Sequence, residues 1–214
     1  MRGDDALIES LPPLQRLALA YAPKTARAPT LALLALDTRL AGIVRHSHEP
    51  MLAQLRLAWW REQLAADPAT WPRGEPLLAA LASWRGHEAK LVALAEGWEQ
   101  LTGTAPLPAS AIDGFAEGRA RGFVALADLL ETRDKLASVR SMARVWALTD
   151  LADHVGNAEE RVSAEALAGV EMLENTSLSR PMRTLVVLHS LAQRRATGGI
   201  SALIATLRLG LFGR

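Results

Sequence analysis

Apolar residues recur along this chain at three- and four-residue spacing, and long alternating β-branched runs are missing. Leu33, Leu36, Leu40, Ile43 and Val44 fall on one side of a helix, with Arg39 and His46 elsewhere. Val139, Met142, Val145, Trp146 and Leu148 form a broader stripe suited to a central helix. Such stripes are what a packed helix must bury. Pro and Gly punctuate the pattern, and the helices read at about 14–21, 30–47, 51–66, 76–84, 87–101, 109–130, 133–155, 163–173, 181–195 and 199–211. The expected fold is all-α.

Composition narrows the reading. Of 214 residues, 50% are hydrophobic and 5% aromatic, enough apolar surface for a single domain over 1–214. With 24 basic and 23 acidic residues, no global field favours nucleic acid, so none is expected as a partner. The absence of Cys removes thiol chemistry and zinc–thiolate sites and suits a reducing compartment. The N-terminal MRGDDALIESLPPL carries acids where a signal peptide needs an apolar run. Runs such as Leu31–Leu36 are far shorter than the ~20 residues of a spanning helix. A cytoplasmic location follows as the expectation.

Five segments then carry a family likeness. LPPLQRLALAYAP, LALLALDTRLAGIV, MLAQLRLAWWREQL, FAEGRARGFVALADLL and ARVWALTDLADHV occur in the order and hydrophobic register of helices in the squalene and phytoene synthase family, which the chain resembles from roughly Leu14 to Asn157. The Arg-Leu-Ala-Trp-Trp-Arg run, Arg56 to Arg61, resembles the divergent branch that contains a mitochondrial complex I assembly factor. Beyond Asn157 the resemblance fades. It implies an isoprenoid-synthase-like helical bundle, here shortened at its C-terminus.

The active members of that family hold Mg²⁺ with carboxylates from two facing helices, because diphosphate departure needs its negative charge neutralised. The register implied by the resemblance puts Ala41, Gly42 and Arg45 at the first motif's aspartates and Thr38 at its arginine. In the second motif Asp150, Asp153, His154, Asn157 and Ala158 stand in, so that His, Asn and Ala replace the metal-facing acids. Asp37 and Asp150 each lie one helical turn before a lost position and are candidates for a displaced site, with Asp153 and His154 beside them. If the two helices are antiparallel, as the resemblance implies, these shifts should move the carboxylates apart rather than clamp a metal. Arg45 puts a cation where Mg²⁺ would sit.

No cofactor is therefore expected, and Mg²⁺ only if the chain is a prenyl-diphosphate transferase with a rearranged acidic site. The favoured expectation is a non-catalytic relative acting in lipid or prenyl binding, or in respiratory complex assembly near the inner membrane. A lipid or prenyl chain in a central cavity and a protein are the expected partners, with Arg45, Trp59 and Trp60 as candidate ligand-binding residues. On a helix Trp59 and Trp60 point about 100° apart, so only one can be fully buried. Trp71, Trp84, Trp98 and Trp146 read as core anchors, and His46 as a helix-end cap. The apolar ISALIATLRLGLFGR, within 199–214, is a candidate for peripheral membrane contact.

Overall fold

The computed structural model describes residues 2–47, 49–171 and 177–197, and among them every regular element is a helix. In chain order these are α1 (Arg2–Ser10), α2 (Pro13–Ala20), α3 (Lys24–His46), α4 (Pro50–Ala65), α5 (Pro76–Leu81), α6 (Val92–Glu99), α7 (Ala109–Leu129), α8 (Leu136–His154), α9 (Ala158–Val170) and α10 (Arg183–Thr197). Short 3₁₀ turns extend several of them, including Ala82–Trp84 after α5 and Glu88–Leu91 before α6. Among the described residues no helix is long and apolar enough to cross a membrane. The segment 199–214, proposed from sequence as a membrane contact, lies outside the described residues.

Proline sets several starts. Pro13, Pro50 and Pro76 each occupy the first helical position, where the missing N–H would have had no intrahelical partner. Pro29 departs from this rule: it was expected to open a helix near residue 30, yet it lies inside α3, which begins at Lys24. One intrahelical bond is lost there, against burial of Ala26, Pro29 and Thr30, and the Pro29 carbonyl accepts from Trp84 Nε1 at 3.2 Å. Two other boundaries also differ from expectation. α1 has no counterpart in the sequence reading; Asp4 and Asp5 sit in its first turn, favourable to the helix dipole, and Leu7 anchors it in the core. α9 starts at Ala158 rather than near 163, because Asn157 Oδ1 accepts from the backbone N–H groups of Glu159 and Glu160 at 2.8 and 3.3 Å.

The core lies around α3, α7 and α8. From Thr30 to Asp37 every residue of α3 is buried, so this helix meets protein on all sides. Phe123 of α7 and Trp146 of α8 meet edge-to-face at 5.4 Å, Phe115 of α7 stands edge-to-face on Trp98 of α6 at 4.8 Å, and Met142 of α8 is fully buried. α6 crosses α7 at Gly97 and Gly118. A Cβ on Gly118 would fall 2.5 Å from the Ala93 carbonyl oxygen and 2.6 Å from Gly97 Cα, so only glycine permits this approach. The close crossing has a local consequence, because the next residues on the two helices, Trp98 and Arg119, reach the same carboxylate.

Candidate ligand cavity

That carboxylate is Asp37. Arg119 Nε donates to its Oδ1 at 3.1 Å and Nη2 to its Oδ2 at 2.7 Å, and Trp98 Nε1 donates to Oδ1 at 2.8 Å. Arg119 Nη1 donates to Asp150 Oδ2 at 2.9 Å. One guanidinium thus bridges an aspartate from α3 and one from α8. Arg119 and Asp37 are 2% and 4% exposed, whereas Asp150 is partly open to solvent. Burial works against the charged form of Arg119, and the carboxylates of Asp37 and Asp150 more than offset it, leaving its pKa above the ordinary arginine value.

Three aromatic rings surround the same group. The guanidinium carbon lies 3.8 Å from the centroid of Trp146, 5.4 Å from Phe115 and 5.6 Å from Trp98. Cation–π attraction is strengthened by desolvation, so this arrangement adds to the two ion pairs. Asp37 and Arg119 are the polar centre of an otherwise apolar enclosure.

Beside this centre is a cavity of about 490 Å³, within the range typical of small-molecule sites. α2, α3, α6, α7, α8, α9 and α10 all contribute to its wall. Leu101, Leu107, Phe115, Leu151, Leu188 and Leu191 supply much of its apolar surface. Its polar residues include Gln15 and Thr38, which are hydrogen-bonded at 3.2 Å. Thr38 also lines a second cavity, of about 510 Å³, with Arg39 and Arg56 in its wall.

The candidates named from sequence divide between these places. Asp37, Asp150, Asp153, His154 and Arg45 all line the central cavity, with Asp153, His154 and Arg45 exposed. His154 Nδ1 lies 2.6 Å from the Asp150 carbonyl oxygen and 3.7 Å from Asp150 Oδ1. Thr38 and Ala41 line the cavity as well, whereas Asn157 is occupied in capping α9. Asp37 and Asp150 do not meet each other directly; one guanidinium, that of Arg119, engages the carboxylate from α3 and the one from α8.

Trp59 and Trp60 do not line the central cavity. Trp60 is buried under Arg39, 5.8 Å from its ring centroid, and Trp59 stands edge-to-face on it at 5.0 Å and is 38% exposed. Met51, Leu52 and Leu55 are exposed on the same helix. α4 therefore carries apolar side chains on both its core side and its outer side. His46, read as a cap, holds the Gly42 carbonyl at 2.9 Å from Nδ1 at the end of α3.

A divalent cation does not fit between Asp37 and Asp150. Asp37 Oδ1 already accepts from Trp98 and Arg119, Oδ2 accepts from Arg119, and a metal here would meet a buried guanidinium at short range. Comparison with family models, curated proteins and solved structures gave no match to this chain.

Sequence reasoning missed Arg119. The signal was present: Phe115, Ala116, Arg119, Ala120 and Phe123 share one stripe of α7, and a lone arginine there needs a buried acid. Asp37 interrupts the stripe of Leu33 and Leu40 in the same way. Two opposite charges, each alone in an apolar stripe, are a pairing that spacing along one helix cannot show.

Proposed function

We propose that this chain is a non-catalytic protein of the squalene and phytoene synthase type, which binds a lipid or prenyl chain in its central cavity. The observation that carries this reading is the Arg119 bridge. In the type resembled, carboxylates from two helices act through divalent ions; here the carboxylates from α3 and α8 are engaged by a guanidinium of the chain itself. The cavity beside it keeps a volume and an apolar wall suited to a hydrocarbon chain. Solvent extraction of the purified protein, followed by mass spectrometry, tests this: a bound lipid or isoprenoid present in about equimolar amount is expected. Its absence, together with no binding of added prenyl chains, would remove the reading.

The outer side of α4 favours a second role beside the first. Met51, Leu52, Leu55 and Trp59 form an apolar patch of the kind that protein partners cover. With the resemblance of the Arg56–Arg61 run to an assembly-factor branch, it supports binding to a protein partner in respiratory complex assembly near the inner membrane. Polar substitution at Met51 and Leu55 should abolish capture of that partner without unfolding the chain. The competing enzymatic reading, a Mg²⁺-dependent prenyl-diphosphate transferase, requires Asp37 and Asp150 to exchange Arg119 for metal.

A further inference from the structure

Where α2 and α3 form its wall, the central cavity meets a group of hydrogen-bond donors that lack acceptors. Pro12 stands at the cap position of α2 and Pro13 at its first residue, and proline has no side-chain oxygen, so no cap bond is made. The Arg16 N–H donates to the Pro12 carbonyl at 3.0 Å, which leaves the N–H groups of Leu14 and Gln15 ahead of it without an intrahelical acceptor. All four residues from Pro12 to Gln15 line the cavity. This helix end therefore brings orphan donors and the positive end of its dipole to the ligand space.

The Gln15 side chain adds an observation that does not depend on the helix end. It is 8% exposed, and its Oε1 accepts from Thr38 Oγ1 at 3.2 Å, while its Nε2 donates to none of the described residues. A buried amide with idle donors is costly unless something in the cavity accepts from it. Arg45 is a third donor. It lines the cavity and makes no hydrogen bond or ion pair among the described residues, whereas Arg119, the other guanidinium of the wall, is held by Asp37 and Asp150. Thr38, Ala41 and Arg45 share one face of α3, which puts Arg45 ~10 Å along the axis from the bond between Thr38 and Gln15. Long helical side chains lean towards the helix N-terminus, and this carries the Arg45 guanidinium towards that bond. Leu101, Leu107, Leu188 and Leu191 supply apolar wall for a chain attached to such a head.

We propose that the head of the cavity's ligand is a single carboxylate, that of an ionised fatty acid, received by Arg45, the Gln15 amide and the first turn of α2. This rests on the cavity being a ligand site, and it names the class of ligand. One unengaged guanidinium matches one negative charge; a phosphate head brings a second, which Arg45 alone leaves unmatched. The test holds the chain constant and varies the head: the full protein is titrated at pH 7.5 with dodecanoate, dodecanol and dodecyl phosphate below their aggregation concentrations. Tryptophan fluorescence reports binding, because Trp98 and Trp146 are in the wall. Dodecanoate should bind at least about tenfold more tightly than dodecanol, and more tightly than dodecyl phosphate. Arg45→Gln, at an exposed position that the fold does not depend on, should bring dodecanoate to the level of dodecanol, and Gln15→Met should weaken it severalfold. Arg16→Gln, also exposed but outside the cavity wall, should leave dodecanoate binding unaltered. A preference for dodecanoate that survives Arg45→Gln, or that Arg16→Gln removes equally, would overturn the position of the head. Tighter binding of dodecyl phosphate would overturn the carboxylate assignment. Dodecanol binding as tightly as dodecanoate would overturn the anion site while leaving the lipid cavity in place, whereas binding of none of the three would remove the cavity as a ligand site altogether.

Discussion

Arg119 of α7 grips both carboxylate oxygens of Asp37 of α3, at 3.1 and 2.7 Å, in a place almost closed to water. Breaking one half of such a pair costs more than the pair contributes, because the remaining charge stays buried without compensation. Arg119→Met should therefore destabilise the fold by about 3–5 kcal/mol in urea unfolding. Adding Asp37→Leu to that variant should recover most of the loss, since Asp150 is partly open to water and can be solvated. A double variant no more stable than Arg119→Met would show that the pair is not the source of the cost.

The crossing of α6 and α7 makes a second prediction. Gly118→Ala places a Cβ against the Ala93 carbonyl and Gly97 Cα, and should cost about 1–3 kcal/mol or more through forced separation of the helices. Gly169 in α9 has nothing within 4 Å of the same added atom, so Gly169→Ala should stabilise by up to about 1 kcal/mol through helix propensity. Opposite signs in thermal or urea unfolding would separate steric from intrinsic effects.

His189 of α10 supplies the pH dependence. Burial lowers its pKa to about 4, and Nδ1 has no hydrogen-bond partner in the structure. The folded state resists protonation that the unfolded chain accepts near the ordinary value of about 6.5. The stabilising contribution is therefore fully present above about pH 6.5 and is lost as pH falls towards about 4, by up to about 3 kcal/mol. His189→Leu should flatten this part of the profile. The quantity to compare is the difference between variant and parent at pH 7.5 and 5, because carboxylates elsewhere titrate in both.

The two tryptophans of α4 should respond very differently. Trp60→Ala empties a buried site and should cost about 3–5 kcal/mol. Trp59→Ala loses an edge-to-face partner and should cost no more than about 1.5 kcal/mol. Equal losses in urea unfolding would mean that Trp59 belongs to the core, and the outer side of α4 would no longer be available to a partner.

Much of the fold is legible in the sequence because helical periodicity and proline positions are local signals. Pro50 and Pro76 mark helix starts correctly, and the stripe of Val139, Met142 and Trp146 identifies α8 as a core helix. Pro29 misleads because burial of its neighbours outweighs a lost backbone bond, and α9 is placed late when the Asn157 cap is not weighed. The site is legible only in part. Asp37 and Asp150 stand out in the sequence as candidate site acids, yet their partner on a third helix depends on a glycine crossing between α6 and α7. Trp98 reads as a core anchor by its size, while its indole N–H on Asp37 is a tertiary fact. Long-range pairing of this kind leaves no spacing to read along the chain.

If Arg119 fills the place where metal chemistry would need a cation, as proposed, the cavity binds without turning over. The most direct measurement is release of pyrophosphate from farnesyl diphosphate by the full chain in the presence of Mg²⁺. No release above the protein-free rate is predicted, for the parent and for Asp37→Ala alike. Release by the parent that Asp37→Ala or Asp150→Ala abolishes would contradict the account and assign these two carboxylates to catalysis.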